Sequence, residues 1–255
     1  MAGIGLSDEL KENYEDYYEE GDSEWRRQSA LGKAAVIVSL CGDLERGSVL
    51  EIGAGEGSVL RRLSELSFSR ALHALEISAT GVAAIRDAAI PGLVECKLFD
   101  GYHVPYEDQR FDLAILSHVV EHVEHPRQLL YEASRVARRV FIEVPLEDTL
   151  RLPRDFEFDP VGHINFYSRK SIRRLVQTCG LRVIREKVTT PARGAYEYRS
   201  GRKGALAWLV KETLLRAAPN LATALSTYHG ALVCERMPRT ESPRGRTAGE
   251  YRKRG

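Results

Sequence analysis

The sequence offers no paired cysteines. Its four, Cys41, Cys96, Cys179 and Cys234, stand far apart in 255 residues and form no Cys-x-x-Cys unit. A disulfide framework is not expected, and four reduced thiols acting as small hydrophobes are. Long apolar runs are missing too: no stretch approaches the roughly 20 residues that span a bilayer. The opening segment has no basic region followed by an apolar run, so no secretory signal is read and a cytoplasmic location is expected. An excess of charge of one sign is also absent. The formal net charge is +1, so no global field points to a nucleic-acid or membrane partner. That average conceals an asymmetry, since residues 7–24 hold nine acids and one lysine while the end from Pro238 is rich in Arg and Lys.

What is present is a rhythm. Short apolar runs alternate with helical patterns: SVLEI then GSVLRRLSEL, RALHALEI then ATGVAAIRDAA, LVECKLF, FDLAILS then PRQLLYEASRVA, and RVFIEV. Such alternation means βαβ units and a parallel sheet. FDLAILS and RVFIEV are nearly continuous apolar segments, as strands covered on both faces are. SRKSIRRLVQTCG reads as a further helix, capped by Ser168 and ended by Gly180, and LRVIREKVTTP as the strand after it. Two helices divided at Pro219 then precede the last strand, YHGALVCERM. The expected architecture is doubly wound α/β, with a mostly parallel seven-stranded sheet and a helical insertion before its final strand. Residues 1–42 are read as an N-terminal helical cap of two helices broken at Gly21-Asp22. Residues 43–236 are read as the ligand-binding domain, with the insert at 194–227, and 237–255 as a disordered basic tail.

Val49-Leu50-Glu51-Ile52-Gly53-Ala54-Gly55-Glu56-Gly57 joins a strand to a helix through three glycines in five positions. Glycine permits positive φ and close approach of a ligand to the backbone. A turn of this kind at the carboxyl edge of a parallel sheet is where doubly wound folds bind ligands. Alone, the loop does not choose among dinucleotide, phosphate and S-adenosylmethionine. Its neighbours do. A pyrophosphate site uses backbone N–H groups and a positive helix end, with negative charge kept away. Glu51 and Glu56 place carboxylates there, which suit a ligand bearing an ammonium and a sulfonium, although Glu56 also fits an acid at a helix start. Glu76 ends the next strand about twenty residues on, where a carboxylate accepts ribose hydroxyls in adenosine and NAD sites alike. Asp100, after the third strand, is placed to accept from an adenine amino group. A β-branched residue at Gly53 or Gly55 is expected to abolish binding while leaving the protein folded.

From about Val49 to Val144 the chain resembles the class I S-adenosylmethionine-dependent methyltransferases of the small-molecule type. The motifs that carry the likeness are VLEIGAGEG, Glu76, Asp100-Gly101 with Pro105 and Asp108, Phe111-Asp112, and Ser117-His118-Val119-Val120-Glu121-His122-Val123, in the family's order. The resemblance implies a Rossmann-like fold and S-adenosyl-L-methionine as cofactor. It implies that Glu51, Gly53, Ala54 and Gly55 face the methionine part, Glu76 and Ile77 the ribose, and Asp100 and Gly101 the adenine. Ser117 and His118 would flank the methionine and sulfonium. A basic residue on the preceding helix would meet the methionine carboxylate, and Lys33 lies where it is expected, with Arg26 as its rival.

In methyl transfer the cofactor brings the activated electrophile, so the protein aligns the reactants and excludes water. A protonated acceptor also needs a base. His163, His122 and Glu121 are the candidate catalytic residues, with His118 and His125 near the same mouth. The Glu-His pair also fits a framework role, and His163, in DPVGHINFYS with Asn165 and Tyr167, also fits packing or capping. The turn after the fourth strand is Ser-His-Val-Val, not the Asn/Asp-Pro-Pro-aromatic turn of amino-methylating nucleic-acid enzymes. The Pro-Cys nucleophile of pyrimidine carbon methylation is missing, so no nucleic-acid partner is expected. No His/Asp/Glu set shows metal-ligand spacing, and no metal is expected.

The expected activity is methyl transfer to an O or N atom of a small metabolite: a sugar, a natural product or a lipid-linked intermediate. The alternatives are an inactive cofactor-binding partner or regulatory protein and, more remotely, an NAD-dependent oxidoreductase. Tyr14, Tyr17, Tyr18 and Trp25 read as the wall of a lid or as sheet-edge packing. In the insert, Leu206, Trp208, Leu209, Val210, Leu214 and Leu215 form a broad apolar face suited to the core, a homodimer, a substrate cover or a membrane surface. Arg193, Arg199, Arg202 and Lys203 beside it suit an anionic substrate group or water.

Overall fold

A computed structural model of the protein describes residues 23–155 and 162–238. The first expected N-terminal helix with Tyr14, Tyr17 and Tyr18, residues 156–161 and the expected tail from 239 onward lie outside the described residues. In chain order the elements are α1 (Ser23–Cys41), β1 (Ser48–Ile52), α2 (Ser58–Glu65), β2 (Ala71–Glu76), α3 (Ala79–Asp87), β3 (Leu93–Leu98) and β4 (Phe111–Ser117). They continue with α4 (Pro126–Val136), β5 (Ala137–Leu146), α5 (Arg169–Thr178), β6 (Leu181–Thr189), α6 (Arg193–Ala217), α7 (Pro219–Leu225) and β7 (Tyr228–Arg236).

The strands form one sheet in the order β3-β2-β1-β4-β5-β7-β6. The first five pair in parallel, and β7 runs antiparallel between β5 and β6. The expected Rossmann-like, mostly parallel seven-stranded sheet is present, with an antiparallel end. The order reverses between β1 and β4, so the crevice outside their carboxyl ends is the topological switch point where such folds bind ligands.

Helices cover both faces. Buried residues of α1, α2 and α3, among them Ala34, Leu60 and Ile85, join Val49 and Ile115 in one cluster. Those of α4 and α5, such as Leu129 and Ile172, join Leu50, Leu116 and Ile142 in the other. This explains the unbroken apolar run in β4, where Leu113, Ala114, Ile115 and Leu116 are all fully buried. Each large side chain hidden this way stabilises the fold by about 1.5–3 kcal/mol. Ser168 caps α5 through a reciprocal pair with Ser171, and Gly180 follows with φ 83°. All four cysteines are free and buried.

In the insert, α6 is kinked at Gly201. Its apolar face is divided between two roles: Leu214 and Leu215 pack on the core, while Leu206, Leu209 and Val210 are exposed. Trp208 donates to the Pro191 carbonyl at 3.0 Å. Arg193 pairs with Glu197, and Arg199 lies over the Trp25 ring. No helix among the described residues is long and apolar enough to cross a membrane.

Candidate active site

The glycine loop leaves β1 at the switch point and immediately consumes its own amides. Gly53 N and Ala54 N both donate to Leu75 O, at 2.8 and 3.0 Å, and Gly57 N donates to Ala54 O at 3.0 Å. Gly55 N donates to Glu76 Oε2 at 2.8 Å. A pyrophosphate site needs such groups turned outward, whereas these four are turned into the protein. Gly53, at φ 73°, is required by space as well as by conformation: a Cβ there would stand 2.7 Å from Val119 Cγ2. The loop thus lies directly against the Ser-His-Val-Val turn after β4. From the other side, a Cβ on Gly81 at the start of α3 would stand 2.9 Å from Gly55 O.

Two buried acids border the loop. Glu51 is 2% exposed, and its Oε2 has no hydrogen-bond partner. Burial pushes its carboxyl up to about 8; Lys33 opposes the rise and Glu76 adds to it. Without a ligand, Glu51 therefore holds its proton at neutral pH. A protonated Glu51 does not repel a phosphate as the ionised carboxylate expected from the sequence would. Glu76 is equally buried and links Gly55 to the cap of α3, since its Oε1 accepts from Ser78 N at 3.2 Å. Burial raises its carboxyl too.

Packing separates the two rival cations. Arg26 pairs with Glu56 at 2.8 Å, whereas Lys33 acts electrostatically on Glu51, His118, Glu121 and Glu143. Asp100 is exposed, and its Oδ1 accepts from Tyr102 N and His103 N at 2.9 and 2.6 Å. Gly101, at φ 95°, is buried beside it, and Ile77 packs against the core.

The turn after β4 carries a cluster of buried polar and titratable side chains. Ser117 Oγ donates to Glu143 Oε2 at 3.1 Å, and His118 N donates to Glu143 O at 2.8 Å. His118 is held at φ 59°, a strained conformation for this residue type. Its Nδ1 lies 3.1 Å from Glu121 Oε1, outside hydrogen-bond geometry, and neither oxygen of the fully buried Glu121 has a hydrogen-bond partner. His122 Nδ1 contacts Gly162 O at 3.1 Å, and His163 Nδ1 contacts Glu147 Oε2 at 2.8 Å. The two rings stand 4.8 Å apart. Burial lowers the basicity of His118 and His122 and raises the carboxyls of Glu121 and Glu143, the last to about 7.

The structure thus gathers Glu121, His122 and His163 into one group. Asn165 and Tyr167 hold that group in place: the Asn165 amide donates to Val123 O at 2.8 Å, its backbone N–H to Glu121 O, and the Tyr167 hydroxyl to Val120 O. His125 sits apart, with its ring 5.7 Å from Tyr102. Glu143, Glu147 and His229 were not read from the sequence. An acid inside the apolar run RVFIEV was the available signal for Glu143. A cavity of about 410 Å³ bounded by Arg46, Arg70, Asp112 and Arg138 lies at the opposite edge, where β1 and β4 begin.

A doubly wound sheet, a glycine loop with its amides used up, and buried acids on successive strand ends define a cofactor-binding protein of the S-adenosylmethionine class. The chain belongs to the methyltransferase-domain family, whose model matches residues 25–186, and S-adenosylmethionine is its cofactor. A search of curated proteins found no match. Among solved structures, the chain is similar to a SAM-dependent methyltransferase from Aquifex aeolicus, with 16% identity, 87% of this chain and 98% of that one covered, and a TM-score of 0.54. It is also similar to the geranyl diphosphate C-methyltransferase from Streptomyces coelicolor in complex with S-adenosyl-L-homocysteine, with 13% identity, coverage of 80% and 78%, and a TM-score of 0.57. The [4+2]-cyclase SpnF shares the fold as well, with 14% identity, 80% of each chain covered and a TM-score of 0.59. These likenesses show the fold; the family match shows the chemistry. The residues fit the cofactor, since the orphaned Glu51 Oε2 offers an acceptor to an ammonium.

Proposed function

We propose that this methyltransferase acts on an oxygen or nitrogen atom of a small metabolite (a sugar, a natural product or a lipid-linked intermediate), with His163 as general base. The observation that carries the reading is the His163–Glu147 pair, 2.8 Å apart and close to the buried Glu121 and His122. When bound, S-adenosylmethionine supplies an activated methyl group. Lys33, Glu51, Gly53, Ala54 and Gly55 hold its methionine part, Glu76 and Ile77 the ribose, Asp100 and Gly101 the adenine, and Ser117 and His118 border the sulfonium. Glu147 fixes the His163 ring through Nδ1 and stabilises the imidazolium formed when the acceptor loses its proton. His122 and Glu121 line the same pocket.

Incubation with labelled S-adenosylmethionine and fractionated extracts tests this reading. His163→Ala is expected to lower transfer to a hydroxyl acceptor by roughly 10²–10⁴-fold while affinity for S-adenosylhomocysteine stays as in the wild type. Full transfer by the variant would remove His163 from the chemistry.

A further inference from the structure

Beside the proposed base lies a second group, drawn from three separate elements: His118 after β4, Glu143 in β5 and His229 in β7. One donor atom from each falls within 4.8 Å of the other two. His118 Nε2 is 3.7 Å from Glu143 Oε2, His229 Nδ1 is 3.9 Å from Glu143 Oε1, and the two rings are 4.4 Å apart. Glu143 is 1% exposed, yet its Oε1 has no hydrogen-bond partner, and His118 Nε2 is buried without one as well. Orphaned buried donors and acceptors are costly, and native structures keep them where something else completes the set.

We infer that His118, Glu143 and His229 form a site for a divalent transition-metal ion of the zinc class. Two imidazoles and a carboxylate are the donors such an ion prefers, whereas magnesium and calcium want oxygen. Around an ion bound at about 2.1 Å, tetrahedral ligand atoms stand about 3.4 Å apart; the three donor atoms lie within 4.8 Å of one another, so binding an ion draws the two rings and the carboxylate together by up to about 1.4 Å. An outer partner of the kind that orients metal ligands is already in place, since Ser117 Oγ donates to Glu143 Oε2. The strained backbone of His118, tied by its N–H to Glu143 O, aims the ring at the group.

The rings of His118 and His229 remain 15% and 17% exposed, so the site has an open side, as catalytic rather than structural metal sites do. If the proposed methyl transfer holds, an acceptor oxygen bound at that open position gives up its proton more readily to the neighbouring base. The inference rests on that reading only for this role, not for binding of the ion.

Co²⁺ serves as the probe. The full chain, stripped with a chelator, is titrated with Co²⁺ and followed by its visible absorption, with S-adenosylhomocysteine binding measured in parallel. One ion per chain is expected, with the intensity of four- or five-coordinate cobalt. His229→Gln and Glu143→Gln should each weaken it by about 100-fold, while His163→Gln leaves the titration unchanged. Absent Co²⁺ binding alongside normal S-adenosylhomocysteine binding would overturn the site. So would binding that survives both first variants, or binding lost with His163→Gln, which would place the ion on Glu121, His122 and His163. If S-adenosylhomocysteine fails to bind, the cofactor assignment fails instead. If one variant does not fold, the other decides. If neither folds, X-ray absorption of cobalt-loaded wild type decides, and sulfur or fewer than two imidazoles in the shell would overturn the site.

Discussion

Glu51→Gln is expected to make the ligand-free protein more heat-stable at alkaline pH while removing most of its affinity for S-adenosylmethionine. In the folded chain the Glu51 carboxyl sits at about 8 against an ordinary 4.5, chiefly through burial. A group raised in this way stabilises the fold fully below its ordinary value, and that contribution is lost as pH climbs through about 8. The gap corresponds to something on the order of 5 kcal/mol, at about 1.4 kcal/mol per pH unit. Glutamine cannot ionise and escapes the loss. Thermal melts at about pH 4 should then nearly coincide, whereas at about pH 9 the variant should melt roughly 10 °C higher. Binding has the opposite requirement, because a cationic ligand needs the carboxylate. Wild-type affinity should rise with pH up to about 8 and then level, while the variant binds about 100-fold more weakly with no such slope. Lys33 and Glu76 face the same carboxyl and bias it in opposite directions, so Lys33→Met should move the levelling of affinity to higher pH rather than abolish the rise. Parallel melting curves at both pH values would refute the buried, protonated Glu51.

Gly53→Val is the second large effect, and here the structure changes the sequence-based expectation. A loop residue of this kind is expected to tolerate substitution in the fold and to fail only in binding. Gly53 instead has φ 73°, and a Cβ would stand 2.7 Å from Val119 Cγ2. Left-handed strain and overpacking together cost roughly 2–6 kcal/mol. The loop must then leave the β4 turn and loosen its bonds to Leu75 O. Urea unfolding should show a markedly lower midpoint, and S-adenosylhomocysteine binding should vanish. An unchanged midpoint would mean that the loop and the Val119 turn do not touch.

The βαβ rhythm was legible because each strand is a short apolar run and each helix has a hydrophobic face, and local caps such as Ser168 follow their own chemistry. The loop and the acids on successive strand ends were legible for the same reason: the topology brings strand ends to one edge. Three things were not. Whether Lys33 or Arg26 reaches the site depends on how α1 packs, and the structure gives Arg26 to Glu56. The ionisation of Glu51 depends on burial, which a residue's identity does not reveal. The meeting of His118, Glu143 and His229 joins positions scattered over three elements, so no spacing rule finds it. Asp100 shows the converse, since an acid in the expected place is also the cap of its own turn.

The most direct test is calorimetric titration of the full chain with S-adenosylhomocysteine and, separately, with NADH. The consumed amides of Gly53, Ala54, Gly55 and Gly57 and the buried Glu51 predict binding of one S-adenosylhomocysteine and none of NADH. NADH binding without S-adenosylhomocysteine binding would contradict the assignment of this loop to a cationic, phosphate-free cofactor.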